Sequence, residues 1–147
     1  MNWTNAGQKG DRIRVSSDKE WTWLRPKSWS GGDDYRVSFG LNLSANAEFV
    51  IGLRTGASKR AVQAAEHGEN GFCTGDRCLA AGTGVSIPRN SDVRVAIHVK
   101  GNLAAIMVNG RSAWLGHLDG LEHGGVDFGL RHGTAWIGPL TVEELKN

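Results

Sequence analysis

Tyrosine occurs once in this 147-residue chain, proline three times and cysteine twice. No apolar run approaches the ~20 residues that a membrane-spanning helix needs, so membrane insertion is not expected. The first thirty residues lack the basic-then-apolar pattern of a secretory signal. They begin abruptly, close to a strand-like stretch, so residues 1–147 read as one domain cut from a longer protein. A charge excess is also missing: 17 basic and 15 acidic residues are mixed along the chain, for a formal net charge of +2. With no basic block interleaved with aromatics, nucleic acid is not an expected partner. Neither a G-x-S-x-G elbow nor a phosphate-binding glycine loop is present, which leaves out two common catalytic frameworks.

The two cysteines, Cys73 and Cys78, lie in CTGDRC. Thr74-Gly75-Asp76 is good turn chemistry, so the sulfurs can meet across the bend. A disulfide there would stabilise by about 2 kcal/mol at most and would lean the compartment toward an oxidising one, extracytoplasmic or secreted. The other reading is two unpaired thiols in a surface loop. Zinc needs four ligands, and no second Cys/His pair at ligand spacing accompanies these two.

What is abundant is glycine, 21 residues, set between short alternating runs. The pattern is clearest from Ser91 to Ala113, SDVRVAIHVKGNLAAIMVNGRSA. Val93, Val95, Ile97 and Val99 alternate with Arg94, Ala96, His98 and Lys100, the period of a half-buried strand. Gly101-Asn102 turns the chain back into Leu103 to Val108, and Asn109-Gly110 turns it again. Tyr35 to Leu43 alternates as cleanly, and Ala47 to Thr55 carries Phe49, Ile51 and Leu53 on one face. Short strands are also expected at Ile13–Val15, around Trp21–Trp23, at Arg77–Ala80 and briefly at Ala113–Leu115. Val126–Arg131 and Ala135–Leu145 close the domain, with Pro139 marking an edge or bulge. Arg60–His67 has helical composition, but it is short and uncapped among strands, and reads as a strand. Ten or more short strands without a convincing helix are the pattern of an all-β sandwich of two antiparallel sheets.

Several stretches together resemble the concanavalin A-like lectin/glucanase superfamily, a jelly roll. VRVAIHVKGNLAAIMVNGRSAW resembles its strand, Lys-Gly-Asn turn, strand, Asn-Gly turn, and GGVDFGLRHGTAWIGPLTVEEL its last two strands. FVIGLRTG followed by RAVQAAEHG is similar to the laminin-G-like and 3-keto-disaccharide hydrolase branch. The resemblance covers about residues 35–145. It implies that Arg54, Gln63 and Glu66 lie on or beside a concave, carbohydrate-binding face. Glu66 stands where an aspartate is usual, Ala61-Val62 stand where an aromatic is usual, and the chain is short for the hydrolases. The Glu-x-Asp-x-Glu array of this superfamily's glycosidases is absent: Glu143 and Glu144 are adjacent and point to opposite faces.

Alternation places Arg54, Gln63 and His98 on the non-core side of their strands, where they would line a polar groove with Glu66; a merely solvated sheet face is the plainer alternative. Of the six tryptophans, Trp21, Trp23 and Trp136 are expected in the core, with Trp29 and Trp114 exposed as platforms for a sugar ring. Asp33, Asp34, Asp119 and Asp127 are the oxygen ligands open to calcium, which laminin-G-like domains often hold at a rim, and His117 and His123 would add nitrogen. No spacing among them is diagnostic, and no cofactor is expected. Three functions stay open: a non-catalytic module binding a carbohydrate or another extracellular ligand, a 3-keto-glycoside hydrolase-like enzyme using Glu66 and His98 as acid and base, and a protein-interaction or sensory domain.

Overall fold

The computed structural model of the chain describes residues 2–3, 12–26, 33–55, 62–66, 71–74, 80–81, 85–118 and 124–144. Among these the chain forms strands and no helix. In order they are β1 (Asn2–Trp3), β2 (Ile13–Ser17), β3 (Thr22–Pro26), β4 (Tyr35–Leu43), β5 (Glu48–Thr55), β6 (Val62–Glu66) and β7 (Phe72–Thr74). There follow β8 (Ala80–Ala81), β9 (Val93–Lys100), β10 (Leu103–Val108), β11 (Arg111–His117), β12 (Gly125–Arg131), β13 (Gly133–Ile137) and β14 (Thr141–Glu144).

They make two sheets. The first runs β1-β3-β12-β5-β6-β7-β8 and is antiparallel except for the short parallel pair β1–β3. The second runs β11-β10-β9-β4-β13-β2, antiparallel throughout, with β14 also on β4. The tight turns follow from sequence: Asn109 and Gly110 take φ of 50° and 80° between β10 and β11, the left-handed pair that a type I′ hairpin needs. Within the ambiguous Arg60–His67 segment, Val62–Glu66 is indeed a strand, because β5 and β7 supply hydrogen-bonding partners on both its sides.

The inward faces of both sheets meet in one core. Tyr35, Val37, Phe39, Leu41 and Leu43 of β4 and Val93, Val95, Ile97 and Val99 of β9 are all buried in it. Facing them are Phe49, Ile51 and Leu53 of β5 and Val126, Phe128 and Leu130 of β12. Phe128 sits at the centre, edge-on to Phe39 of the opposite sheet (centroids 4.9 Å) and stacked on Phe49 of its own (5.9 Å).

Two expectations change here. The closing strand is not continuous from Ala135: Gly138–Pro139, a cis peptide, divides it into β13 and β14, which pair with successive parts of β4. Gly40 permits this crossing, since a Cβ there would lie 2.9 Å from the Gly138 carbonyl oxygen. The tryptophans also change places. Trp23 and Trp136 are 36% and 41% exposed, whereas Trp114 is 1% exposed. A bulge in β11 between the partners of Ile106 and Met107 accounts for Trp114: the extra residue, Ala113, reverses the alternation and turns Trp114 toward the core opposite Ile106. Its ring lies across Gly116, where a Cβ would be 2.2 Å from the indole. Trp136 lies on the second sheet's outer face, 5.8 Å beneath the Arg12 guanidinium.

Because Phe128 joins both sheets, Phe128→Ala leaves a cavity at the sandwich centre. It is expected to cost about 3–5 kcal/mol, lowering the thermal midpoint by roughly 10 °C in a calorimetric scan.

Candidate functional site

A strand has two faces, and in a sandwich only the outward one can meet a large ligand. For the first sheet the cross-strand register defines that face. Asp127 of β12 pairs with Gly52 of β5, and Gly52 with Gln63 of β6. One step along, Trp23 of β3 pairs with Gly129, Gly129 with Val50, and Val50 with Ala65. A further step pairs Arg131 with Glu48.

Trp23 lies flat on β12 because Gly129 has no side chain: a Cβ there would be 2.9–3.1 Å from three ring carbons. Trp21 stands beside it, ring centroids 5.9 Å apart and tilted 34°. The Arg131 guanidinium is 4.4 Å above the Trp21 ring and donates to Glu48 Oε2 at 2.6 Å. A cation fixed by both an aromatic face and a carboxylate is held in one geometry. Val50 and Ala65, in the middle of the face, are nearly buried. Among the described residues Trp23 is the exposed large apolar side chain of this face.

Asp127 is the unusual titratable group here. Burial pushes its carboxyl above the ordinary 3.8, while Arg25 and a backbone hydrogen bond pull it partly back. A carboxylate half-buried beside an arginine is able to accept hydrogen bonds.

The residues expected to form one groove do not come together. Register puts positions 54 and 63 on this outer face, and only their strand positions are described. Glu66 is three residues beyond Gln63 and so faces the other way, into the core, 1% exposed. There Arg89 Nη2 donates to Oε1 at 2.6 Å, Arg89 Nη1 to Oε2 at 3.0 Å, and the Ile87 N–H to Oε2 at 2.8 Å. Arg89 also donates to the carbonyls of Ile87 and Ala47. Glu66 thus pins the 85–92 connection, which carries the chain from the first sheet to the second. His98 lies on the second sheet's outer face, on the far side of the sandwich, where burial and the nearby Arg36 lower its pKa below 6.5 against a smaller opposing effect of Glu143.

Trp114, expected as an exposed platform, is a core residue. Trp29, Cys78, Asp119 and His123 fall outside the described residues, and Cys73 is placed only by its strand position opposite Ala65 and Ala81. Among the described residues no three potential ligands cluster for a metal. Asp34 instead accepts the Gly101 N–H at 2.8 Å.

Sequence reading did not place Trp23, Asp127, Gly129 and Arg131 together on this face: it put Trp23 in the core and Asp127 among the calcium ligands. The signal was present: in VDFGLR the apolar Val126, Phe128 and Leu130 claim one face, leaving Asp127, Gly129 and Arg131 for the other.

Two outcomes follow. Glu66→Ala leaves the Arg89 cation with no carboxylate and the buried Ile87 N–H with no acceptor; chemical denaturation is expected to show a loss of about 3–5 kcal/mol. For Asp127 the raised pKa means that the folded chain holds the proton to higher pH than the unfolded chain. Ionisation therefore costs stability above the carboxylate range, and the cost disappears as pH falls through it. Asp127→Asn is expected to melt higher than the parent at neutral pH, with the difference fading toward about pH 3 in melts across pH.

No family model and no curated protein sequence matches this chain. Solved structures do match in shape. The carbohydrate-binding module CBM66 from Bacillus subtilis superposes with a TM-score of 0.61 at 12% identity, over 89% of this chain and 95% of that one. The Caenorhabditis elegans galectin LEC-6 gives 0.51 at 15% identity, over 87% of this chain and 95% of the galectin. A sialidase gives 0.72 at 9% identity, over 94% of this chain and 16% of the enzyme. With both sheets, their order and these likenesses in hand, the fold is a jelly-roll β-sandwich, the shape these structures share.

Proposed function

We propose that this chain is a non-catalytic carbohydrate-binding module of a longer protein and that sugar docks on the outer face of β3 and β12. The observation that carries the reading is Trp23 lying flat on Gly129 and 36% exposed, beside Asp127 and the Arg131–Glu48 pair. A pyranose or furanose ring has an apolar face and a rim of hydroxyls. A flat indole bordered by fixed donors and acceptors complements both. Arg25 stands opposite Asp127 on the same face, and Arg54 and Gln63 hold strand positions of the same parity. The likeness in fold to a carbohydrate-binding module that matches nearly end to end supports the same reading.

The hydrolase reading loses its machinery, since Glu66 is bound by Arg89 in the core and His98 is on the opposite sheet. General acid–base work needs both groups within reach of one substrate atom.

Calorimetric titration with a panel of mono-, oligo- and polysaccharides tests the proposal. A saturable response is expected with at least one sugar, weakened about tenfold or more by Trp23→Ala. Asp127→Asn should weaken it too while keeping the fold. A sugar response unaffected by either substitution, in folded protein, would place the ligand elsewhere.

A further inference from the structure

The second sheet's outer face is built differently. One cross-strand row runs Glu143–Arg36–His98–Ala105–Leu115, through β14, β4, β9, β10 and β11. Two adjoining hollows share His98. One, of about 420 Å³, has Ala105 in its floor, Leu103 and Leu115 as apolar walls, and Lys100 and His117 at its rim. Leu103 and Leu115 are 54% and 66% exposed, the two most exposed of the large apolar side chains described. The other, of about 250 Å³, is lined by Arg36, Ser38, Arg94, Ala96 and Met107 besides His98.

Cations outnumber carboxylates on this face. Arg36, Arg94 and Lys100 are cations; the row above brings in Glu143 opposite Arg36, and Asp92, two residues before Arg94, is engaged by Arg12 and by Asn42. Among the described residues neither Arg36 nor Arg94 is in an ion pair of salt-bridge length. Two guanidinium groups from neighbouring strands, a serine hydroxyl and an imidazole make a donor set for a carboxylate. Between Leu103 and Leu115 the hollow beside it suits hydrocarbon, whose burial there forfeits no hydrogen bond.

We propose that this face is a second binding site, for a small anionic amphiphile: a carboxylate head at Arg36 and Arg94, and an aliphatic tail between Leu103 and Leu115. The charge complementarity chooses the head, and the apolar hollow chooses the tail. Neither half alone accounts for both hollows meeting at His98. The site is separate from the proposed sugar face, which lies on the other side of the sandwich, and it stands whether or not that face binds sugar.

Sodium decanoate is the probe, titrated calorimetrically below its aggregation concentration, with decanol and acetate as the head-less and tail-less controls. Decanoate is expected to bind saturably at one site per chain, and both controls about tenfold or more weaker. Arg36→Gln and Leu115→Ser should each weaken decanoate about tenfold; both positions are exposed, and Arg94→Gln and Leu103→Ser serve as a second pair if either fails to fold. Any sugar response should be unchanged by Arg36→Gln and by saturating decanoate. Absence of saturable decanoate binding, equal binding of decanol, or binding that survives both pairs of substitutions would each overturn the proposal.

Discussion

Phe128 is where the two sheets hold one another. It is stacked on Phe49 within its own sheet and set edge-on to Phe39 of the other, and the aliphatic residues of β4, β5, β9 and β12 close around that contact. Once those inward faces are committed to one dry core, every other side chain on these strands must emerge on one of two surfaces that face away from each other. The placement of function follows from that geometry. Residues can cooperate on a common ligand only if they share both a sheet and a parity.

The same constraint decides which polar residues are structural. Glu66 has the wrong parity for the outer face, and a buried carboxylate is tolerable only when paired and hydrogen-bonded. Arg89 and the Ile87 N–H supply those partners, and in doing so they hold the connection by which the chain leaves one sheet for the other. A residue that resemblance places near a ligand thus turns out to be a fastener of the core.

The two outer faces carry different chemistry on the same scaffold. On the first, a tryptophan lies flat along a glycine, with an arginine–glutamate pair and a half-buried aspartate around it. On the second, cations collect on β4 and β9 while β10 and β11 present leucine. Neither face disturbs the core, because strand alternation lets the outward residues vary while the inward ones keep packing.

Strand identity was legible in the order of residues. Val93 to Val99 and Tyr35 to Leu43 alternate so strictly that only one face can be buried, and Asn109-Gly110 can hardly be anything but a hairpin turn. The opposite parity of Gln63 and Glu66 was legible too, since it needs only counting. Which strands share a sheet was not, because β12 reaches β3 and β5 across the whole chain and nothing local records that pairing. The tryptophans show the limit most plainly. Trp23 and Trp114 have the same chemistry in sequence, yet a bulge at Ala113 turns one inward and the absence of a side chain on distant Gly129 lets the other lie outside. Local alternation by itself determined the elements and the sandwich class; the long-range register and a single inserted residue decided which side chains a ligand can reach.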